Sequence, residues 1–259
     1  MDLFKSAAKG YTKYRGEYPK EVIEKIIAKL NLDGSGRLLD IGCGDGTLTF
    51  ALSKYFKEVV AVDISIEMIN EGKKRAKALG VNNINWIVKS ANSLNDDIGR
   101  FDCITIAKAL HWFDIEKVLS LSHKILKHNS AIVILGGKSI WNYAPTEWEK
   151  KIIEIIKKYL GPERMTINGK FLVSQKPYEG YLKEAGFKNI KVFGYTTPKG
   201  PKTVDEVLAE QFSTSYAAKE LFGNRLINFE QELKNELLKI RPDNKFVSES
   251  RGDVIMGFK

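Results

Sequence analysis

Three glycines at alternate positions stand out in the stretch LLDIGCGDGTLT, which covers residues 38–49. An apolar run precedes Gly42, Gly44 and Gly46, and residues compatible with a helix follow them. A glycine-rich turn between a strand and a helix lets the backbone approach a ligand closely, beside the N–H groups of the first helical turn. The stretch therefore predicts a turn that binds a cofactor or another small ligand.

The spacing of these glycines separates the candidate ligands. A dinucleotide-binding turn has the pattern G-x-G-x-x-G, but here Thr47 stands where its third glycine would fall. A phosphate-binding P-loop is excluded because no Gly-Lys-Ser/Thr follows. Asp40, two residues before Gly42, adds an acid for which a nicotinamide site has no use. A ligand with an ammonium, a carboxylate and a ribose fits better, and S-adenosylmethionine is such a ligand.

The same stretch resembles the first motif of class I S-adenosylmethionine-dependent methyltransferases of the small-molecule type 11 branch. The resemblance implies S-adenosyl-L-methionine as cofactor and S-adenosyl-L-homocysteine as product. It implies that the glycines and the Cys43 backbone approach the methionine moiety, and that Asp40 acts on its amino-acid portion directly or through water. Asp63, 21 residues after Gly42, is then expected to bind the two ribose hydroxyls. Its structural alternative is a helix N-cap, which Ser65 can also provide.

Further cofactor contacts follow from the resemblance alone. Ile64 is expected to lie against the adenine. After the third strand the family often has G-D-A-E, where this chain has KSANSL at 89–94, so the Ala91 backbone and Asn92 or Ser90 are expected to bind adenine. The cofactor residues that the resemblance predicts are Tyr14, Arg15, Asp40, Gly42, Cys43, Gly44, Gly46, Asp63, Ile64, Met68, Ser90, Ala91, Asn92 and Ala107.

The segment AKALHWFD at 107–114 follows the fourth predicted strand, at the sheet edge where open α/β folds bind ligands. It resembles the trans-aconitate methyltransferase-like branch, in which a glutamine is common where Lys108 stands. His111 is a candidate general base for an alcohol or acid; alternatively, His111 and Trp112 only shape the pocket, because a carboxylate acceptor needs no base. The predicted acceptor pocket consists of Lys108, His111, Trp112, Arg164 and Tyr216.

The N-terminal stretch AAKGYTKYRGEYP at 7–19 also resembles this branch, where a Tyr-x-x-Tyr-Arg run folds over the cofactor. Arg15 is a candidate bidentate partner of the methionine carboxylate, with Tyr11 and Tyr14 as covers. The alternative is that these aromatic residues only pack a terminal segment.

Strands rich in Val and Ile alternate with helices of 3.6-residue periodicity, which indicates an α/β fold with a mostly parallel sheet covered on both faces. The resemblance implies seven strands in a Rossmann-like sheet, the last antiparallel, with helical lid insertions. The predicted strands are 37–42, 58–65, 84–90, 101–107, 130–137, 189–198 and 250–259. The predicted helices are 21–30, 47–56, 66–79, 115–127, an amphipathic helix within 139–176, 178–186 and a helical stretch at 203–240.

We divide the chain into six segments. They are an N-terminal cofactor-covering segment and helix (1–36), a cofactor-binding core (37–138), a lid insertion (139–177), a core helix and strand (178–199), a helical lid insertion (200–244) and a final core strand (245–259).

The composition of the 259 residues, 43% hydrophobic and 28% charged, is typical of a globular protein. No signal peptide or membrane-spanning stretch is visible, so we expect a cytoplasmic protein without a membrane partner, as a monomer or homodimer. The net charge of +9 raises the question of nucleic acid, but the lysines are dispersed, which argues against it. Cys43 and Cys103 lack metal-type spacing, so we expect reduced thiols and no metal.

These observations lead to one main hypothesis, a methyltransferase acting on a small-molecule acceptor. The expected reaction is O-methylation of a carboxylic acid or hydroxyl group by direct displacement, a reaction in which positioning supplies much of the rate. The alternatives left open are an N- or C-methyltransferase of a specialised metabolite, an RNA methyltransferase and a non-catalytic cofactor-binding protein. The motifs therefore predict the cofactor better than the acceptor.

Overall fold

The computed structural model describes residues 17–138, 140–141, 143–163, 165–166, 169–170, 176–214 and 216–259. The strands are β1 (Arg37–Ile41), β2 (Glu58–Asp63), β3 (Ile84–Val88), β4 (Phe101–Ala107), β5 (Leu126–Gly137), β6 (Met165–Thr166), β7 (Gly169–Lys170), β8 (Lys188–Lys202) and β9 (Phe246–Phe258). The helices are α1 (Lys20–Leu30), α2 (Thr47–Ser53), α3 (Ile66–Leu79), α4 (Ile115–Ile125), α5 (Glu147–Leu160), α6 (Tyr178–Glu184), α7 (Val204–Phe212) and α8 (Leu226–Ile240).

Seven strands form one sheet in the order β3-β2-β1-β4-β5-β9-β8. Strands β1 to β5 pair in parallel, whereas β9 pairs antiparallel with both β5 and β8. The predicted fold class, a mostly parallel seven-stranded sheet with an antiparallel last strand, is confirmed. The register places Asp40 of β1 beside Thr105 of β4, which matters for the site below.

The parallel part of the sheet, β1 to β5, is buried on both faces, because the side chains of each strand alternate between two apolar clusters. Leu38 packs with the apolar faces of α1 and α2, whereas Leu39 packs with those of α4 and α6. Helices therefore cover both faces, and the carboxyl ends of β1, β2 and β4 meet at one edge of the sheet.

A third apolar cluster lies mainly outside the sheet. We call α5, α7, α8 and the 3₁₀ turns at 219–225 the lid. We call the apolar cluster that these elements share with Tyr216, Ala217 and the first residue of β9 the lid core. The lid core consists of Trp148, Ile152, Ile155, Ile156, Val204, Val207, Leu208, Tyr216, Ala217, Phe222, Phe229, Leu233, Leu237 and Phe246.

Several element boundaries differ from the sequence prediction, among them both ends of β8, which spans Lys188–Lys202, and the start of β9 at Phe246. Three further differences follow. Helix α2 ends at Ser53 instead of residue 56, where the Asn83 side-chain amide donates to the carbonyl oxygens of Ser53 and Phe56, each at 2.9 Å. Strand β5 begins at Leu126, four residues early, because Leu126 pairs with Phe101 of β4. The helical stretch 203–240 is two helices joined by a turn and short 3₁₀ segments.

No strand was predicted in the segment after α5, but the structure has two short ones there. Met165 and Thr166 of β6 pair antiparallel with Lys170 and Gly169 of β7. Sequence periodicity carries little information over two residues, so such a short hairpin gives no alternation to detect. Within the described ranges, no helix has the length and apolar character needed to cross a membrane.

Candidate cofactor and acceptor site

The glycine turn connects β1 to α2 and is tied to the neighbouring strand. The backbone N–H groups of Gly42 and Cys43 both donate to the Val62 carbonyl of β2, at 2.8 and 3.0 Å. The N–H of Gly44 donates to a carboxylate oxygen of Asp63 at 2.8 Å. The turn is thus held against the end of β2 by three hydrogen bonds.

The three glycines of the turn do different things. All have positive φ, which favours glycine. A Cβ at Gly42 would lie 2.6 Å from the Ala109 Cβ, and one at Gly46 would lie 2.5 Å from the Trp86 ring, so packing leaves no room for either. A Cβ at Gly44 would have no atom within 4 Å. Gly44 therefore offers an open backbone surface to a ligand, while Gly42 and Gly46 shape the turn.

Asp63 lies at the carboxyl end of β2, beside this open surface. One carboxylate oxygen accepts from Gly44 and the other accepts from the Ser65 N–H at 2.9 Å. The helix N-cap is Ser65, whose hydroxyl accepts from the Met68 N–H, so Asp63 is not the cap. A carboxylate oxygen has two lone pairs, so it can accept more than one hydrogen bond, and a carboxylate is a suitable partner for ligand hydroxyls. Its neighbour Ile64 is 64% exposed and presents an apolar surface suited to a flat ring.

Asp40 is enclosed behind the turn. Its carboxylate is 1% exposed and accepts from the hydroxyls of Thr49, at 2.6 Å, and Thr105, at 2.8 Å. Burial raises the pKa of Asp40 to about 6, against the opposing effect of the two hydroxyls, and the nearby charge of Asp63 raises it further. These hydrogen bonds to Asp40 thus link β1 to α2 and β4 behind the glycines. The role of Asp40 toward the methionine moiety stays a prediction.

Sequence reasoning missed a second buried acid, Asp45. It accepts from the Thr47 hydroxyl at 2.7 Å and forms an ion pair with Arg75 of α3 at 2.8 Å. The Arg75 guanidinium also stacks over the Phe50 ring, 4.9 Å from its centroid. The signal in the sequence was the basic cluster KKR at 73–75. This pair anchors the glycine turn to the helix that follows β2.

A 3₁₀ turn, Ala91–Ser93, follows β3 at the same sheet edge. Ala91 is buried, and Ser90 and Asn92 beside it are half-buried. The side-chain oxygen Oδ1 of Asn92 accepts from the Asp114 N–H at 2.9 Å, so the side-chain N–H₂ of Asn92 is the group suited to donate to a ligand. Met68, by contrast, is 2% exposed and offers a ligand almost no surface.

The segment after β4 forms the other side of the site. Ala107 ends the strand, and Lys108 has a φ of 54°, a left-handed conformation that is strained for a residue other than glycine. The Lys108 side chain lies along Gly137, and its ammonium is 5.2 Å from the centroid of the Tyr18 ring. Exposed His111 and Trp112 follow on a 3₁₀ turn, with ring centroids 5.0 Å apart.

A family model described as a methyltransferase domain matches residues 38–129, which include the glycine turn, Asp63 and the segment after β4. An uncharacterised methyltransferase of Schizosaccharomyces pombe is 35% identical over 190 residues, 70% of each chain. A Dictyostelium discoideum protein named as a methyltransferase is 29% identical over 243 residues, 92% of this chain and 86% of the relative. The chain belongs to the class I S-adenosylmethionine-dependent methyltransferase family. The crystal structure of YcgJ from Bacillus subtilis shares the fold, with a TM-score of 0.61 at 19% identity over 93% of this chain and 99% of that one.

The methyltransferase is therefore an enzyme whose cofactor is S-adenosyl-L-methionine, and the turn fits this ligand. Gly44 leaves room for a backbone contact, the Asp63 carboxylate is a hydrogen-bond acceptor beside it, and Ile64 has an exposed apolar side chain. When bound, the cofactor supplies a methyl group on a positively charged sulfur.

Both cysteines of the methyltransferase are buried and free. Burial raises the pKa of the Cys43 thiol and of the Cys103 thiol, so both are protonated near neutral pH and neither is a thiolate nucleophile. Among the residues that the structure describes, no group of three or more His, Cys, Asp or Glu side chains is arranged to hold a metal ion.

Several predicted site residues lie elsewhere. Tyr216 is 6% exposed in the lid core, where its ring meets that of Trp141 edge-on at 5.7 Å, so it does not line an open pocket. Outside the described residues lie Tyr11, Tyr14, Arg15 and Arg164. Their roles, like the six segment boundaries, stay predictions.

Proposed function

We propose that this methyltransferase O-methylates the carboxylate of a small organic acid by direct displacement. The observation that carries the proposal is Lys108, a cation in a strained backbone conformation at the carboxyl end of β4. Strained residues cluster at functional sites, where surrounding structure holds them in place. Here the N–H of Lys108 donates to the Leu135 carbonyl at 2.8 Å. The Lys108 side chain lies along Gly137, where a Cβ would be 3.3 Å from its Cε.

In this proposal five residues at the carboxyl edge of the sheet bind the cofactor. Gly44 contacts the methionine moiety, Asp63 accepts from both ribose hydroxyls, Ile64 lies against adenine, and the backbone of Ala91 with the Asn92 amide binds the adenine edge. Hydrogen bonds to a charged carboxylate are stronger than those between neutral groups, so Asp63 is expected to contribute strongly to cofactor binding. Asp40 and Asp45 act behind the turn, as positioning residues.

Lys108 binds one oxygen of the acceptor carboxylate, so that the other oxygen faces the methyl group. A carboxylate is already a nucleophile, so no proton has to be removed before it attacks. The contribution of the protein is then mainly to orient the two reactants, an effect that can supply up to about 7–11 kcal/mol. Trp112, which is 38% exposed, supplies an apolar wall that limits water.

A hydroxyl acceptor is the second candidate, and it is favoured by the exposed imidazole of His111. Such an acceptor must lose a proton, and a general base of this kind supplies about 10²- to 10⁴-fold in rate. Replacement of His111 by Ala therefore separates the two candidates: turnover on a carboxylate is expected to persist, and turnover on a hydroxyl to fall by this factor.

The test of the main proposal is the chemical nature of the product. The enzyme is incubated with labelled S-adenosylmethionine and panels of mono-, di- and tricarboxylic acids, and a methyl ester is expected, which releases methanol in alkali. Lys108→Ala is expected to raise the acceptor KM at least tenfold, whereas Lys57→Ala, an exposed lysine at the opposite sheet edge, is not. An alkali-stable methyl product, or methyl groups found on RNA, would contradict the proposal.

A further inference from the structure

A row of three directly paired residues crosses the last strands of the sheet beside Lys108. Gly137 of β5 pairs with Gly252 of β9, and Gly252 pairs with Tyr195 of β8. Residues directly opposite each other in antiparallel strands point to the same face of a sheet, with Cβ positions about 4.5–5.5 Å apart. In this row the two residues nearest to Lys108 have no side chain, and the third has a phenol.

The row lies on the face of the sheet that α1 covers. Tyr195 packs against the apolar cluster on this face, and Leu135, two residues before Gly137 on β5, belongs to the same cluster. Gly137 is exposed, and the Lys108 side chain lies over it, with its Cε 3.3 Å from the position of a Cβ. Lys108 and Tyr195 are therefore on one face, with only the two glycines of the row between them.

The hydroxyl of Tyr195 reaches across β9 toward Lys108. A Cβ at Gly252 would lie 2.5 Å from this hydroxyl and would clash with the Gly136 carbonyl oxygen of β5, so the ring needs the missing side chain. With the spacing of paired residues, the hydroxyl oxygen and the Lys108 Cε are no more than about 11 Å apart. Hydrogen bonds of about 2.8 Å at both ends leave room between them for a small organic acid.

The Tyr195 hydroxyl is suited to donate to an uncharged oxygen. Tyr195 is half-buried, and among the residues that the structure describes its hydroxyl has no hydrogen-bond partner. Burial and, second, the negative charge of Asp253 raise the pKa of Tyr195, so the hydroxyl is protonated near neutral pH. The Lys138 ammonium is engaged by Asp253 at 3.1 Å. A carbonyl oxygen accepts from the phenol without bringing a second negative charge toward Asp253.

We propose that Tyr195 is a specificity-determining residue of the acceptor site, whose hydroxyl donates a hydrogen bond to an uncharged carbonyl oxygen of the acceptor. The inference rests on the proposed function, since it takes Lys108 to bind the carboxylate of the same molecule. The acceptor then lies across Gly137 and Gly252, and it is a small acid that carries a carbonyl group at some distance from its reacting carboxylate.

The test compares acids that differ only in one carbonyl oxygen. The probes are 4-oxopentanoate against pentanoate and 4-acetylbenzoate against 4-ethylbenzoate, titrated calorimetrically into the enzyme saturated with S-adenosylhomocysteine. The wild type is expected to prefer the carbonyl member of at least one pair by about threefold or more, the effect of one neutral hydrogen bond. Tyr195→Phe, which keeps the ring over Gly252, is expected to abolish the preference. Tyr178→Phe, at a half-buried tyrosine on the opposite face of the sheet, is expected to keep it.

Two results would overturn the inference: equal affinity within both pairs, or a preference that survives in Tyr195→Phe. Lys108→Ala is expected to weaken both members of a pair by the same factor, so the preference within a pair reports on Tyr195 and the affinity of both members on Lys108. A third pair without a carboxylate, acetophenone against ethylbenzene, separates the two proposals. A carbonyl preference in this pair, with no binding of the acids, contradicts the role of Lys108 and supports that of Tyr195. Binding of none of the six probes overturns the role of Tyr195.

Discussion

At the scale of single residues, Asp63 has the largest expected effect on the cofactor. Its carboxylate already organises Gly44 and Ser65, and in the proposed complex it also accepts from two hydroxyls. Hydrogen bonds to charged groups contribute about 1.5–3 kcal/mol, so Asp63→Ala is expected to weaken S-adenosylhomocysteine binding roughly 10- to 150-fold. Titration calorimetry measures this, with Asp97→Ala, an exposed acid away from the turn, as control. Equal affinities of the two variants would remove the ribose role.

Asp40 gives a prediction about pH. Its pKa is about 6 in the folded protein against an ordinary value of 3.8, so the folded state favours the protonated form. The contribution of this proton to the free energy of unfolding is present below about pH 4 and is lost as the pH rises through about 6. Asp40→Asn has no such proton. The melting temperature of the wild type relative to Asp40→Asn is therefore expected to rise as the pH falls from 7 to 4, and a constant difference would contradict this.

At the scale of elements, the glycine turn separates packing from binding. Gly46→Ala places a Cβ 2.5 Å from the Trp86 ring, so it is expected to destabilise the fold by more than about 2 kcal/mol. Gly44→Ala has open space and carries only the cost of its positive φ, about 1–2 kcal/mol, but it is expected to weaken cofactor binding. Gly80→Ala, also at positive φ in open space, measures the backbone cost alone. Thermal melts measure the stability of the three variants, and calorimetry measures their cofactor affinity. Equal cofactor affinity of the Gly44 and Gly80 variants would contradict a contact between Gly44 and the cofactor.

The elements also show what a sequence can and cannot predict here. The buried parallel strands and the glycine turn were predictable, because continuous apolar runs and glycine spacing are local signals. The end of α2 was not predictable, because the Asn83 side chain that donates to its last carbonyl, that of Ser53, lies 30 residues further along the chain. The Asp45–Arg75 pair joins residues equally distant in sequence, and the contact of Trp141 with Tyr216 depends on how the lid packs. Such contacts become visible only in the folded chain.

At the scale of the whole molecule, the lid core is separate from the clusters on the two faces of the sheet. The proposed cofactor and acceptor groups, by contrast, lie at the carboxyl edge of the sheet, with Lys108, His111 and Trp112 directly after β4. Regions with few shared apolar contacts open with their own free energies. The lid is then expected to loosen locally while the cofactor turn stays folded.

Phe229 tests this independence. Its ring is fully buried in the lid core and stacks on Phe222, with centroids 4.0 Å apart. Phe229→Ala removes about 3–5 kcal/mol of stabilisation from the lid, so hydrogen-exchange protection is expected to fall across α5, α7 and α8. S-adenosylhomocysteine affinity is expected to stay within about threefold, since a 1.4 kcal/mol change would be needed for tenfold. Phe101 is an equally buried ring between the sheet and its helices, and Phe101→Ala is expected to lower both the hydrogen-exchange protection and the S-adenosylhomocysteine affinity. If Phe229→Ala weakened cofactor binding as much as Phe101→Ala does, lid and sheet would form one cooperative unit, and an acceptor would have to enter without local opening of the lid.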